Sequence, residues 1–512
     1  MRIRKIARFL TAPIIAALLA VFCVSAPTQA APSIPDKATK MWNAFIDKYW
    51  DPEAQYFYTY SDRHVHAGHH AGPKNGLYTD YWWEAQLWNT VMDRYERVGD
   101  DQSRQMIDQV FDGWRAFYPD FSRNEYNDDM GWWAQGAIRA WKLTGDDKYL
   151  TEAVSIFDFI SQFEDDHFGG GIWWKNTNVG NPYRNEKNVA TNGTAAWIAA
   201  ELYMATGDST YKDIAQRLIA FLEEVFFNGG HLKDNIKEDG VVNSWDFTYN
   251  NGAFAAAATR LYQITNDEKY LNEARAAFDW AIENLTIGGI FTGERGGDGQ
   301  AFKAIFTRHL RDYINVTGDD SYENFLSVNA RAAAQNTGLN SIGWTDWAFK
   351  APLLITEARA SVSAASAVSI VHQAQPGFTH VPFPEVGTIE IENGAHDGID
   401  TEANGEYTGR GYLAGWNSVD TSATVAFQSK WGGLHRLNIR YAAGNGDAAR
   451  AVLVNGFPAV SAQMPATDGW QDWQTVSIPV LLVPGTNTVE LKFDRLVATN
   501  YANIDSITIE KG

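Results

Sequence analysis

Two aspartates stand side by side at Asp128 and Asp129, inside the run Tyr126-Asn127-Asp128-Asp129-Met130-Gly131-Trp132-Trp133-Ala134. Adjacent carboxylates repel each other when both are ionised, so their titrations separate into one group that keeps its proton and one that loses it. Cleavage of a glycosidic bond needs that division: one carboxyl protonates the leaving oxygen while the other attacks the sugar or activates water. A helix start favours ionised carboxylates, and consecutive positions there could hold the two groups the ~5 Å apart that a retaining mechanism uses. The same residues could equally be ordinary helix-start chemistry, with Asn127 or Asp128 as the cap and Asp129 a solvated first-turn charge.

Further candidates stand where other helices begin. Trp82 and Trp83 precede or open one, Trp132 and Trp133 follow the aspartate pair, and Trp173 and Trp174 come after Gly169-Gly170-Gly171. Asn192, Asp246, Tyr249 and Asn250 open later helices. Aromatic rings stack on the C–H faces of sugars, and amides or carboxylates orient hydroxyls, so Trp82, Trp132, Trp133, Trp173, Asn192, Asp246 and Tyr249 form the expected substrate-facing set. For each Trp the competing role is core packing, and for Asp246 it is helix capping. His64, His66, His69 and His70 share a loop, but no carboxylate stands at metal-ligand spacing beside them, and a solvated loop is the better reading.

The elements that must position these residues declare themselves by repetition. Thr144-Gly145-Asp146-Asp147-Lys148-Tyr149 recurs as Thr206-Gly207-Asp208-Ser209-Thr210-Tyr211, Thr265-Asn266-Asp267-Glu268-Lys269-Tyr270 and Thr317-Gly318-Asp319-Asp320-Ser321-Tyr322. The copies start 62, 59 and 52 residues apart, and a degenerate one lies at Val98-Gly99-Asp100-Asp101. Gly or Asn ends one helix in the left-handed conformation and Asp caps the next, so each copy is a helix stop and restart. Segments rich in small and aromatic residues precede the turns: 81–95, 130–143, 193–205, 251–264 and 304–316, with 344–357 expected as the sixth. Amphipathic helices follow them, and a helix near 38–49 supplies the remaining partner. Six inner and six outer helices at this period predict a closed (α/α)6 toroid, with an open solenoid as the competing arrangement.

The texture changes after Glu357. An Ala, Ser and Val rich stretch and then three prolines read as a linker over 358–387. From Thr388 onward, short alternating runs at 388–392, 424–428, 435–441, 451–454, 475–479, 488–493 and 506–510 predict an all-β, jelly-roll-like sandwich over 388–512. The chain is therefore read as multidomain, with the toroid over 31–357. Residues 1–30 carry Arg2, Arg4, Lys5 and Arg8, an apolar run from Ala12 to Val24 and small residues up to Ala30, the pattern of a cleaved export signal. Its removal takes the only cysteine, Cys23, and shifts the formal net charge from −20 to −24. The mature chain is expected to be secreted and monomeric, without disulfides or thiolate chemistry, and without a membrane span. Its acidity disfavours nucleic acid and anionic membranes and suits a neutral polysaccharide.

The run YNDDMGWWA, the repeat and the helix start Asn188-Val189-Ala190-Thr191-Asn192-Gly193 resemble glycoside hydrolase family 76, the endo-α-1,6-mannanases, over about 37–357. That resemblance implies a retaining cleavage of α-mannan with Asp128 as nucleophile and Asp129 as general acid/base, and no cofactor for the step. Glycosyl transfer to another sugar on the same pair, or glycan binding without catalysis, are the alternatives. The C-terminal region resembles carbohydrate-binding modules of families 35 and 6 through Glu390-Ile391-Glu392, Tyr407-Thr408-Gly409-Arg410-Gly411-Tyr412-Leu413, Val454-Asn455-Gly456 and Asn503-Ile504-Asp505. The likeness implies a structural Ca²⁺ held by Glu390, Glu392 and Asp505, and sugar contacts from Tyr412, Trp416, Trp470 and Asn503.

Overall fold

The repeated turns do what their chemistry dictates. Gly99, Gly145, Gly207 and Gly318 end helices at φ of 68°, 71°, 75° and 73°, and Asn266 does so at 58°. Asp100, Asp146, Asp208, Asp267 and Asp319 then each accept a backbone N–H from the first turn of the next helical segment.

The computed structural model describes residues 34–66, 71–177, 186–294, 296–338, 340–349, 351, 358–374, 388–416, 418, 421–429, 432–483, 485–493 and 500–511. The expected export signal at 1–30, as well as His69 and His70, lies outside the described residues. Among them no helix is long and apolar enough to cross a membrane. Ile34–Gly512 forms one compact unit.

Twelve helices of 13 residues or more occur among the described residues. Six of them, Tyr81–Val98, Asn127–Thr144, Val189–Thr206, Thr248–Thr265, Gly299–Thr317 and Ser361–Gln373, pack each against the next, and the last against the first, closing the inner ring. Asp101–Phe117, Asp147–Ile160, Ser209–Val225, Glu268–Asn284, Glu323–Gln335 and Ile34–Tyr49 form the outer layer. Small residues let the inner helices approach closely. A Cβ on Gly252 would lie 2.8 Å from Phe306 Cα, so that contact has room only for hydrogen.

The sixth inner helix departs from expectation. Residues 344–349 are turn and irregular chain, with Trp347 buried in the core, and 352–357 lie outside the described residues. The inner position is taken instead by Ser361–Gln373, inside the stretch read as linker, so the toroid extends beyond 357. Every residue of that helix is buried. A helix packed on all sides shows no polar face and hence no amphipathic period, which is why its composition read as a linker.

Ion pairs close the end of the ring where the inner helices terminate. Arg139 bonds Asp93 at 2.7 Å and Glu96 at 2.6 Å, Arg308 reaches Asp93 at 2.9 Å, and Arg260 reaches Glu201 and Asp312, both at 2.6 Å. Arg311 pairs with Glu323. Helix C-termini carry partial negative charge, which these cations offset.

Residues 388–511 form two antiparallel sheets. One runs Asp400–Glu402, Tyr412–Ala414, Asn503–Lys511, Gly433–Ala442 and Gln474–Leu482, with Thr388–Glu390 also paired to Asn503–Lys511. The other runs Ala395–Asp397, Ser422–Ser429, Gly485–Phe493, Ala448–Val454 and Phe457–Met464. All seven expected strands occur. The sandwich rests on the toroid through the hairpin Thr286–Phe291 against Ser422–Ser429 and the helix Glu323–Gln335 against Gly485–Phe493.

Candidate active site

The start of each inner helix faces the same end of the ring, and there the chain encloses a cleft of about 900 Å³. Asp128 and Asp129 lie on its wall in the first turn of Asn127–Thr144. Tyr126 occupies the cap position with no side-chain capping bond. Neither aspartate occupies the cap position of that helix. Asn127 fastens that turn to the neighbouring segment, donating its backbone N–H to Trp174 O at 2.7 Å and its side-chain amide to Trp173 O at 2.8 Å.

The two carboxyls differ in what they accept. Both oxygens of Asp128 receive the indole N–H of Trp174, each at 3.0 Å, and Oδ1 also receives the backbone N–H of Asp129 at 2.9 Å. Asp129 receives the side-chain amide of Asn124 at 3.1 Å. Burial pushes Asp128 up to about 7, although its hydrogen bonds from Asp129 and Trp174 pull the other way. Burial and then the charge of Asp128 push Asp129 well above the usual carboxylate range. Asp129 is thus the group that keeps a proton and Asp128 the group that ionises first. The two carboxyls titrate as one coupled pair.

Of the expected substrate-facing residues, Trp82, Trp132 and Tyr249 line the cleft. Four do not. Trp133 is core: it stacks on Trp114 with centroids 4.0 Å apart and donates its indole N–H to Tyr81 O at 2.8 Å. Trp173 is buried with its N–H on Asp165 at 2.7 Å, and its neighbour Trp174 faces the cleft in its place. Successive residues of extended chain point to opposite sides, so of two adjacent tryptophans one goes to each. Asn192 is fully buried and brackets the backbone of Ile172, accepting its N–H at 2.6 Å and donating to its carbonyl at 2.9 Å. Asp246 pairs with His231 at 2.6 Å outside the cleft.

The cleft also holds residues the sequence reasoning passed over: Asp80, Glu186, Asp234, Asp298, Trp245 and Phe302. Asp80 caps the helix Tyr81–Val98, accepting the backbone N–H of Trp83 at 2.9 Å, and burial pushes its carboxyl up to about 7. Burial and the neighbouring Asp234 push Glu186 up to about 7 as well. Tyr249 donates its hydroxyl to Asp234 at 2.5 Å. The signal for Asp80 was present, since it immediately precedes an inner helix whose start was already placed at this end. Glu186 lies on a short strand and Asp234 just before another, both outside the repeat, and they carried no such signal.

In the sandwich, Trp416 is fully buried, so it is a core residue rather than a ligand contact. Tyr412 is buried with its hydroxyl donated to Glu402 at 3.1 Å, and Asn503 is buried. Trp470 is exposed. Glu390, Glu392 and Asp505 converge on the turn Thr408–Arg410: the Thr408 hydroxyl donates to Glu390 at 2.7 Å, the Thr408 backbone N–H donates to Asp505 at 2.9 Å, and the Arg410 N–H donates to Glu392 at 2.8 Å. Glu392 Oε2 is buried without a partner, while Asp505 is taken by Arg440. Among the described residues no group of three His, Cys, Asp or Glu closes into a metal site.

A helical ring with a carboxyl pair in the mouth of its cleft defines a glycoside hydrolase. Residues 33–375 match the model of glycosyl hydrolase family 76, and the chain belongs to that family. Residues 391–511 match the carbohydrate binding module of family 6, one of the two module families the sequence resembles. The chain is 26% identical over 315 residues to the mannan endo-1,6-alpha-mannosidase DCW1 of Saccharomyces cerevisiae, covering 55% of this chain and 69% of that one. It is 28% identical over 224 residues to a putative mannan endo-1,6-alpha-mannosidase of Schizosaccharomyces pombe, covering 39% of this chain and only 50% of the relative's length. The alpha-1,6-mannanase GH76A of Salegentibacter sp. HEL1_6 superposes with a TM-score of 0.59 at 25% identity, covering 67% of this chain and 99% of that one. An inactive variant of that enzyme, with two consecutive aspartates changed to asparagine, is solved with α-1,6-mannotriose.

Proposed function

We propose that this protein is a secreted, monomeric, retaining endo-α-1,6-mannanase that cleaves α-1,6-linked mannan between internal sugars. The observation that carries the reading is the unequal support of two neighbouring carboxyls on the wall of a cleft large enough for several sugar units. Asp128, in its ionised form, attacks the anomeric carbon as Asp129 gives its proton to the leaving oxygen. The bond to the leaving sugar breaks and a glycosyl ester forms on Asp128. Asp129, now ionised, takes a proton from water, which attacks the same carbon and releases Asp128 with the original configuration restored. The aromatic wall of Trp82, Trp132, Trp174 and Trp245 offers faces for sugar rings. The consecutive aspartates changed in the inactive Salegentibacter variant support the same assignment for Asp128 and Asp129.

The test is digestion of linear α-1,6-mannan followed by NMR and chromatography. Oligosaccharides appearing first in the α configuration are expected. Asp128→Asn and Asp129→Asn should each lower kcat/KM by about a thousandfold or more while melting like the parent. First release of β-configured ends would overturn the retaining mechanism, and full activity of either variant would overturn the roles. Products joined to added mannose oligomers would instead indicate transfer to sugar.

Structural Ca²⁺ in the module is a separate proposal, supported by the unpartnered oxygen of Glu392 and by three carboxyls meeting at one turn. It requires Arg440 to give up Asp505. Unfolding followed with Ca²⁺ and with chelator should differ in Tm, and equal values would remove the ion from the account.

A further inference from the structure

Trp174 is the one indole of the cleft whose N–H, among the bonds described, is turned onto the reacting pair. Its two contacts to Asp128, both 3.0 Å, fix the plane of that carboxylate and spread the donor across both oxygens. The ring is built into place. Its backbone N–H donates to Glu186 O at 2.9 Å, its carbonyl accepts from Asn127, and its face meets Tyr126 with centroids 4.8 Å apart. Upstream, Lys187 is fully buried and donates to Asp165 Oδ1 and the carbonyls of Asp165, His167 and Gly170 at 2.7 to 3.1 Å, gathering the loop that leads into Trp173 and Trp174. Asn192 clamps Ile172 in the same loop.

We propose that Trp174 is the positioning residue that makes Asp128, rather than Asp129, the nucleophile, and that the buried Lys187, Asn192 and Asn127 act through it. The inference rests on the mannanase reading above and adds to it the reason one acid of two identical side chains attacks. An N–H shared by both oxygens favours the charged carboxylate, holds it edge-on, and remains on the ester oxygen after the sugar is attached. Asp129 takes a single N–H, from the Asn124 amide onto one oxygen at 3.1 Å, and stays the proton carrier.

The charged and titratable groups around Asp128 are Asp129 on its own helix, Glu186 and Tyr249 across the cleft, and the Lys175–Glu125 pair, whose lysine lies 5.4 Å from the Trp174 ring centre. Asp80 and Asp298 act on Asp129. None of these is altered by Trp174→Phe. In that variant Asp128 should ionise only at higher pH, so the acid limb of kcat/KM should move up by about one unit and the maximum fall about 10- to 100-fold. A packing role alone would lower activity at every pH and leave the limb in place. With an α-1,6-mannobiosyl fluoride, whose leaving group needs no proton, Asp129→Asn should recover formation of the ester intermediate and Trp174→Phe should not. Should Trp174→Phe prove poorly folded, Asn127→Ala loosens the same segment and should move the limb in the same direction by less. An unmoved limb in the folded variants, or rescue of Trp174→Phe by the fluoride, overturns the proposal. Inactivity of the parent on both substrates would instead overturn the mannanase reading.

Discussion

Asp128 takes two N–H donors and Asp129 one, and this small difference is enough to order two chemically identical acids. Charge across the cleft then tunes the result. Glu186 faces Asp128, and its own carboxyl ionises near pH 7 because burial and Asp234 oppose its charge. As Glu186 ionises it disfavours the anion of Asp128, so removing it favours that anion. Glu186→Gln should therefore shift the acid limb of the kcat/KM profile to lower pH, by about half a unit, opposite in sign to Trp174→Phe. An upward shift would show that Glu186 supports Asp128 through some other contact. At this scale the sequence was informative about the pair and uninformative about its partners. YNDDMGWWA announces a helix start with two acids, yet Trp174 arrives from a loop 46 residues away and Glu186 from a strand beyond it. Choosing Trp173 over Trp174 was a choice between two sides of an extended chain, which only the path of that loop decides.

The helices were legible in proportion to how asymmetric their surroundings are. Tyr81–Val98 or Ser209–Val225 meet solvent or a cleft on one side and carry capped ends, so their period and their Thr-Gly-Asp turns could be read directly. Ser361–Gln373 meets protein on every side, has no side-chain cap, and is built of Ala, Ser and Val, so its sequence contained neither signal. The short strands Ala395–Asp397, Asp400–Glu402 and Tyr412–Ala414 were missed for a related reason, since three residues are too few to show alternation. Close approach inside the ring gives this scale its prediction. Gly252→Ala pushes a methyl against the backbone of Gly299–Thr317, which cannot move aside as a side chain would. It should cost about 1–3 kcal/mol, read as a lower midpoint in urea, whereas a cost under about half a kilocalorie would mean that the inner helices slide freely.

For the whole molecule, the ion pairs under the ring tie five inner helices into one piece. Burial would raise Asp93, but Arg308 and Arg139 hold it well below the usual carboxylate range. A carboxyl depressed on folding contributes stability above its unfolded value, near 4, and that contribution disappears as pH falls through the folded value. Asp93→Asn should lose about 3 kcal/mol or more at pH 7, and its stability should decline less steeply than the parent's below about pH 4. Parallel stability curves for the two proteins in acid would place the acid sensitivity elsewhere.

That same bundle of guanidinium groups makes the ring a bowl instead of a pipe. Under the proposed mannanase reading, a polymer meets the aspartates from the open side, lies across the rim and is cut where it crosses, so the position of the cut is indifferent to how far away the chain ends are.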